Sequence, residues 1–324
     1  MAIKPIFLFS LPRAGSTLVQ RVLSMHPAVA TTAEPWILLP LLGAHEPDVI
    51  LSQYSQLSCH KAMGAFIEQC GDSVSIQSKA LRNYGMTYYN SFERDEVAYF
   101  LDKTPRYHFG APRIARAFGN EGRYILLWRN PLAVLASIVE TFGAGRWNLH
   151  RWCFDLYAGF EGLWRLKYDK PENLIEIHYE KLVAEDHGEW VRLFQALNLQ
   201  FHEDFLTKLQ AHRISGFGDP TGQERHPKLT PVSINTWRNS FSTPQRKRFA
   251  KKWLNWLGSE RLLEIGYSMS ELLEQIDAVP IQLKQCCVDL PYLCRDQVGK
   301  VLELDALYRR INACREGRRS FPWS

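Results

Sequence analysis

At 324 residues the chain has room for one large α/β domain, or for a domain with an appendage. Hydrophobic residues at 46% and aromatics at 12% supply a sizeable core, and a net charge of +5 suits an anionic ligand but is too diffuse for nucleic acid. The seven cysteines (Cys59, Cys70, Cys153, Cys286, Cys287, Cys294, Cys314) form no C-x-x-C pair and read as free thiols of a reducing compartment, with no metal site expected. No apolar run approaches the ~20 residues that cross a bilayer. Lys4 is followed at once by a strand rather than by a signal peptide, so a soluble, cytoplasmic protein without a transmembrane segment is expected.

The first element is the apolar run Ile6-Phe7-Leu8-Phe9, of strand length; Leu18, Val19, Val22 and Leu23 then follow at helical spacing. Between them lies the turn Ser10-Leu11-Pro12-Arg13-Ala14-Gly15-Ser16-Thr17. A strand feeding a helix through such a turn aims backbone N–H groups and the positive helix end at one spot, which suits a phosphate or similar anion. Arg13 stands where that anion would lie.

His26-Pro27 ends the first helix, and Ala28 to Thr32 looks extended. Glu34 precedes Pro35 and is expected in a loop at the mouth of a helix starting near Pro35-Trp36-Ile37-Leu38. Residues 44 to 93 read as a helical insertion. A second strand, Ala98-Tyr99-Phe100-Leu101, ends in the charged turn Asp102-Lys103-Thr104-Pro105; a short helix follows at Ile114 to Phe118. Arg123 to Trp128 is a third strand running into Arg129-Asn130-Pro131, with a helix from Pro131 to about Phe142. A long aromatic-rich helix is expected over Trp147 to Leu166, a fourth strand over Asn173 to Tyr179, and a further helix over Trp190 to Leu197. The aromatics Trp36, Tyr84, Tyr88, Phe142 and Trp147 read as a core stripe before an acceptor pocket.

Gly216 to Pro231 is a loop long enough to be functional. Thr243-Pro244 caps a helix with Phe249, Trp253, Trp256 and Leu257 on one side. Its other side carries Arg246, Lys247, Arg248, Lys251 and Lys252, a face read as solvated. A last helix is expected near Arg295 to Cys314, before a basic tail through Arg318-Arg319. The division that follows is residues 1–276 as one domain, with the helical insertion inside it, and 277–324 as a C-terminal helical extension packed on the same domain.

Strands alternating with helices indicate a largely parallel sheet, which binds ligands beyond the carboxyl ends of its strands. Arg13, Lys103, Arg129 and Tyr179 all fall there. A Walker-type nucleoside triphosphatase needs G-x-x-x-x-G-K-[ST] and an acidic residue on a neighbouring strand to hold Mg²⁺. This turn has no such Lys, and the third strand ends in Arg129, so the residues favour a second anionic group over a metal.

The turn Pro12-Arg13-Ala14-Gly15-Ser16-Thr17-Leu18 resembles the 5′-phosphosulfate loop of sulfotransferases that use 3′-phosphoadenosine-5′-phosphosulfate (PAPS). Arg129-Asn130-Pro131, with Ser137 eight residues after the Arg, is similar to their 3′-phosphate site. The resemblance covers about residues 3 to 256 and is nearest the tyrosylprotein-type and bacterial enzymes. Those place a catalytic Glu seven residues past a His-Pro, as Glu34 stands past Pro27, and a catalytic Lys in a turn like Asp102-Lys103-Thr104-Pro105. Tyr179-Glu180 matches a segment whose Tyr lies near the adenine, and Trp237-Arg238 resembles one that closes over the nucleotide. A late catalytic Ser of those enzymes has no clear counterpart in the loop 216–231.

What the resemblance implies is a P-loop-like, three-layer α/β fold, with a central, mostly parallel sheet flanked by helices, plus a helical insertion and C-terminal helices. The activity it implies is sulfuryl transfer from PAPS to a hydroxyl of a small-molecule, lipid or carbohydrate acceptor, leaving the bisphosphate PAP and using no metal. Glu34 is then the general base, and Lys103 and Arg13 catalytic cations. Arg13, Ala14, Gly15, Ser16, Thr17, Leu18, Arg129, Ser137, Tyr179 and Arg238 form the donor site. No nucleic-acid partner is implied, and an oligomer is compatible with the sequence. A kinase with a degenerate phosphate loop and a non-catalytic nucleotide-binding protein remain as alternatives at this point.

Overall fold

The computed structural model describes residues 3–44, 56–147, 149–184, 186–209, 211–215 and 236–302. The chain forms two compact units, Met1–Asn130 with Phe154–Ile234, and Pro131–Cys153 with Asn235–Ser324.

The first unit is organised by a five-stranded sheet: β1 (Lys4–Ser10), β2 (Val29–Thr31), β3 (Tyr99–Asp102), β4 (Arg123–Trp128) and β5 (Leu174–His178). All neighbours pair in parallel, in the order β2-β3-β1-β4-β5. This is the P-loop-like α/β architecture expected. The chain leaves β1 toward β2 and β3 on one side and later crosses to β4 on the other. The order therefore reverses beside β1, where such sheets bind ligands. Four strands are expected from the sequence; the fifth, β2, comes from the extended stretch before Glu34. It is only three residues long, and what makes it a strand is its neighbour: Val29 registers with Tyr99, and the Thr31 hydroxyl donates to the Leu101 carbonyl at 2.6 Å.

Alternation along buried strands gives the two faces of the sheet different chemistry. Ile6 and Leu8 of β1 pack with Leu101, Ile125, Leu127, Ile175 and Ile177 in an aliphatic layer. Over it lie Val19, Val22 and Leu23 of α1 (Ser16–Leu23), with Trp190, Leu193 and Phe194 of the helix Gly188–Ala196. The opposite face is aromatic. Phe7 stacks on Tyr124 at 6.1 Å and meets Phe118 at 4.7 Å, while Tyr89 stacks on Phe100 at 4.8 Å.

Between these elements come α2 (Leu39–Ala44), α3 (Gln56–Glu68), α4 (Ser73–Tyr89), α5 (Ala111–Phe118) and α6 (Pro131–Gly143). Three sequence expectations need correction. The helix expected from Pro35 starts at Leu39, because Trp36 sits at φ 58°, outside the helical region. The long helix expected over Trp147 to Leu166 breaks into a 3₁₀ turn (Leu149–Trp152), a π-helical turn (Asp155–Gly159) and α7 (Phe160–Asp169). Packing explains the π turn. Asp155 and His108 are fully buried, with His108 Nε2 2.9 Å from Asp155 Oδ1, and a β-carbon on Gly159 would stand 2.8 Å from the His108 ring. The aromatic core stripe is also only partly buried: Trp147 is inside, whereas Trp36, Tyr88 and Phe142 are exposed.

In the second unit, Arg246 is the correction. The helix Pro244–Leu257 starts at the expected cap, with the Thr243 hydroxyl accepting from the Arg246 N–H at 3.3 Å. Arg246 does not face solvent with the other cations. It shares the helical spacing of Ala250, Trp253 and Leu257 and is buried with them. Asp289 of the last described helix, Leu283–Leu302, accepts from Nε and Nη2 of its guanidinium, each at 2.6 Å, and the Ser240 and Gly145 carbonyls accept from Nη1 and Nη2. The last helix thus begins well before Arg295. The Gly216–Pro231 loop, the pattern through Cys314 and the basic tail lie outside the described residues.

Candidate active site

The turn after β1 owes its shape to two left-handed residues, Arg13 at φ 67° and Gly15 at φ 102°. Ala14 N–H turns back to the Leu11 carbonyl at 3.2 Å, and Leu18 N–H to the Gly15 carbonyl at 3.0 Å. The N–H groups of Gly15, Ser16 and Thr17 come before the first intrahelical bond and converge at the positive end of α1. Gly15 is required twice over. Its φ disfavours a side chain, and a β-carbon there would stand 2.4 Å from Cδ2 of Tyr179.

Tyr179 follows β5 and opens the short helix Tyr179–Leu182. The Arg129 guanidinium lies 4.2 Å from the centre of its ring, within cation–π reach. One Arg129 nitrogen donates to the Arg13 carbonyl at 2.7 Å, bracing a residue in the left-handed region. Glu180 accepts the Asn130 N–H at 2.8 Å, tying the end of β4 to the end of β5. Arg13 and Gly15 therefore form one cluster with Arg129 and Tyr179, although over a hundred residues separate the first pair from the second.

Glu34 and Lys103 form a second cluster at the ends of β2 and β3. Lys103 Nζ lies 2.7 Å from Glu34 Oε1, with the side chains only 3% and 7% exposed. Glu34 Oε2 accepts the indole N–H of Trp36 at 3.1 Å. Next to Lys103, Asp102 is fully buried and accepts hydroxyl protons from Tyr89 (2.7 Å), Tyr107 (3.2 Å) and Thr104 (3.0 Å). Burial pushes its carboxyl up to about 6, against the hydrogen bonds and the Lys103 charge, which favour the ionised form. Burial and the Asp102 charge hold the Tyr89 and Tyr107 phenols well above their usual range, so both stay donors.

Across the carboxyl edge the ends read, in sheet order, Glu34, Lys103, Arg13, Arg129 and Tyr179. Ala14, Ser16, Thr17 and Leu18 lie in the turn and the first turn of α1. Ser137 sits on α6, and Arg238 is exposed on the 3₁₀ turn Thr236–Phe241 with its guanidinium 5.7 Å from the Trp237 ring centre; both belong to the second unit. The sequence reading missed the partners that hold these groups. Buried Gln20 of α1 donates to Thr31 Oγ1 (2.9 Å) and to the carbonyls of Thr32 (2.7 Å) and Ala33 (3.0 Å), pinning the approach to Glu34 against α1. Two of its three acceptors are backbone carbonyls, which leave no mark in sequence. Trp36 was legible as an aromatic two residues from Glu34, but not as its hydrogen-bond donor.

Among the described residues, no group of three or more His, Cys, Asp or Glu side chains is placed to hold a metal ion, and no helix is long and apolar enough to cross a membrane. A parallel sheet whose central strand feeds a helix through a turn of left-handed residues defines a P-loop-like α/β protein. Residues 5–203 match the sulfotransferase family, to which the chain belongs. Nodulation protein NoeE of Sinorhizobium fredii is 28% identical over 297 residues, covering 82% of this chain and 66% of that protein, so the chain spans just under two thirds of that relative. Among solved structures, the sulfotransferase domain from the curacin biosynthetic pathway is 21% identical at a TM-score of 0.48, covering 78% of this chain and 97% of that one. Mouse sulfotransferase SULT7A1, solved in complex with PAP, is 12% identical at a TM-score of 0.43, covering 85% and 88%.

Proposed function

We propose that the protein transfers a sulfuryl group from PAPS to a hydroxyl of a small-molecule, lipid or carbohydrate acceptor. The observation that carries this reading is the row of strand ends: a carboxylate, an ammonium, two guanidiniums and a phenol, with a bare N–H cradle at the centre. The cradle suits the 5′-phosphosulfate, because the N–H groups of Gly15, Ser16 and Thr17 come before the first intrahelical bond at the positive end of α1. Arg129 takes the 3′-phosphate and Tyr179 lies by the adenine; for Ser137 and Arg238 the family resemblance alone supports roles at the 3′-phosphate and the nucleotide.

Glu34 takes the proton of the acceptor hydroxyl as that oxygen forms its bond to sulfur. The sulfur–oxygen bond to the phosphate breaks in line, and its electron pair stays on the phosphate oxygen. Arg13, Lys103 and the N–H groups of Gly15, Ser16 and Thr17 neutralise the charge that grows there. An ammonium has three donors, so Lys103 can hold Glu34 with one and reach the departing oxygen with another. Fixed cations supply the positive charge, and no metal enters this scheme.

The test is transfer of labelled sulfate from PAPS into fractionated cell extract, with mass identification of the product. Wild-type protein is expected to label a hydroxylated compound, and Glu34→Gln to lose turnover while still binding adenosine 3′,5′-bisphosphate. Undiminished turnover by E34Q removes the base assignment. Binding of the bisphosphate with no transfer to any fraction favours a non-catalytic protein.

A further inference from the structure

We infer that Trp36 is a positioning residue for the Glu34 carboxylate, its indole N–H fixing the plane in which that carboxylate meets the acceptor. The inference rests on the proposed role of Glu34 and deepens it. Three observations lead to it. First, Trp36 adopts φ 58°, a region that bulky side chains avoid and that persists only where the surroundings enforce it. Second, something does enforce it: the Trp36 backbone N–H donates to the Thr104 hydroxyl at 3.1 Å, and that hydroxyl donates to buried Asp102 at 3.0 Å. Third, the outcome of this backbone shape is that the indole N–H reaches Glu34 Oε2 at 3.1 Å, while Lys103 holds Oε1 at 2.7 Å.

A carboxylate on a two-carbon stem turns easily about its terminal torsion, which is broad rather than three-fold. One donor fixes one oxygen and leaves that rotation open. Donors on both oxygens stop it, and each oxygen still has a lone pair for the proton it must take. Lys103 and Thr104 are adjacent in the turn after β3, so the same turn supplies the ion pair and the anchor of the indole. The Trp36 side chain is 38% exposed, which an aromatic kept only for the core would not be.

The experiment compares wild type, Trp36→Phe, Glu34→Gln and the double variant. The Phe ring keeps the bulk and loses the N–H. Two quantities are read: affinity for adenosine 3′,5′-bisphosphate, and the single-turnover rate of PAPS hydrolysis, with water in the acceptor's place. The hydrolysis assay needs no knowledge of the natural acceptor. W36F is expected to keep donor affinity within about twofold and to lose about tenfold in rate, the worth of one hydrogen bond to a charged group. In the E34Q background the same substitution is expected to cost nothing further, since the group it positions is gone.

A W36F rate within about twofold of wild type, with E34Q greatly slowed, overturns the inference and leaves the base assignment standing. An equal loss in both backgrounds also overturns it, because Trp36 would then act independently of Glu34. Weakened donor binding in W36F does the same, by placing Trp36 at the nucleotide. A fully active E34Q removes the base assignment and the inference together.

Discussion

Gly15 and Tyr179 are fitted to one another: a β-carbon on Gly15 would stand 2.4 Å from the Tyr179 ring, far inside contact distance. The turn after the first strand and the segment after the last thus close on each other without a gap. Gly15→Ala adds both that overlap and a side chain at φ 102°. It should lower stability by about 1–3 kcal/mol and weaken adenosine 3′,5′-bisphosphate binding at least about tenfold. Chemical denaturation and titration calorimetry measure the two effects, and wild-type values in both would refute the prediction.

Arg129 touches both the Arg13 carbonyl and the Tyr179 ring, and in the proposed reading it also meets the 3′-phosphate. Arg129→Met should therefore cut affinity for the 3′,5′-bisphosphate by about 10- to 100-fold and leave AMP binding much less changed. Ser137→Ala should show the same selectivity with a smaller loss, about fivefold. Equal losses for both nucleotides would make Arg129 a brace for the turn rather than a reader of the 3′-phosphate.

The pH dependence of stability should carry the mark of Asp102. Its carboxyl is raised from 3.8 to about 6 by burial, so between those values the folded state holds a proton that the unfolded chain has released. Stability from this group is intact below pH 3.8, falls as pH rises, and is lost in full above about 6. The loss is roughly 3 kcal/mol. Asp102→Asn keeps a polar group that the Tyr89 and Tyr107 hydroxyls can turn to meet, and it does not titrate. The unfolding free energy at pH 4 minus that at pH 7 should be lower in D102N than in wild type by about that amount.

Asp289→Ala would leave Arg246 buried without its carboxylate, at an expected cost of about 3–5 kcal/mol. The apolar double replacement Arg246→Met with Asp289→Leu removes both charges and should recover most of that loss. Denaturant midpoints of the three proteins decide it; a silent D289A would mean that this pair does not hold the Leu283–Leu302 helix.

What could be read in advance follows from where the information sits. Ile6 to Phe9 and Tyr124 to Trp128 are unbroken apolar runs, so β1 and β4 were plain, and so were the turns that they feed. The turn residues were legible because left-handed backbone and anion chemistry select Gly and Arg locally. β2 was not, since three residues make a strand only through their partner. The burial of Arg246 depends on Asp289, forty-three positions away, and a basic helix face gives no hint of it. The Gln20 bridge was equally hidden, because the carbonyls it meets have no side-chain identity.

The central place of β1 in the sheet also bears on how the protein is made. β1 is flanked by β3, reached at Tyr99, and by β4, which ends at Trp128. While the chain emerges from the ribosome, Ile6 to Phe9 have neither neighbour until β3 exists at Tyr99–Asp102, and lack the second until β4 ends at Trp128. An all-parallel sheet with such distant pairings is slow to close. The strand that feeds the turn of Arg13 and Gly15 is thus, during synthesis, a segment open to wrong partners. Lys4, exposed at the head of β1, is the one charge on that strand to discourage them.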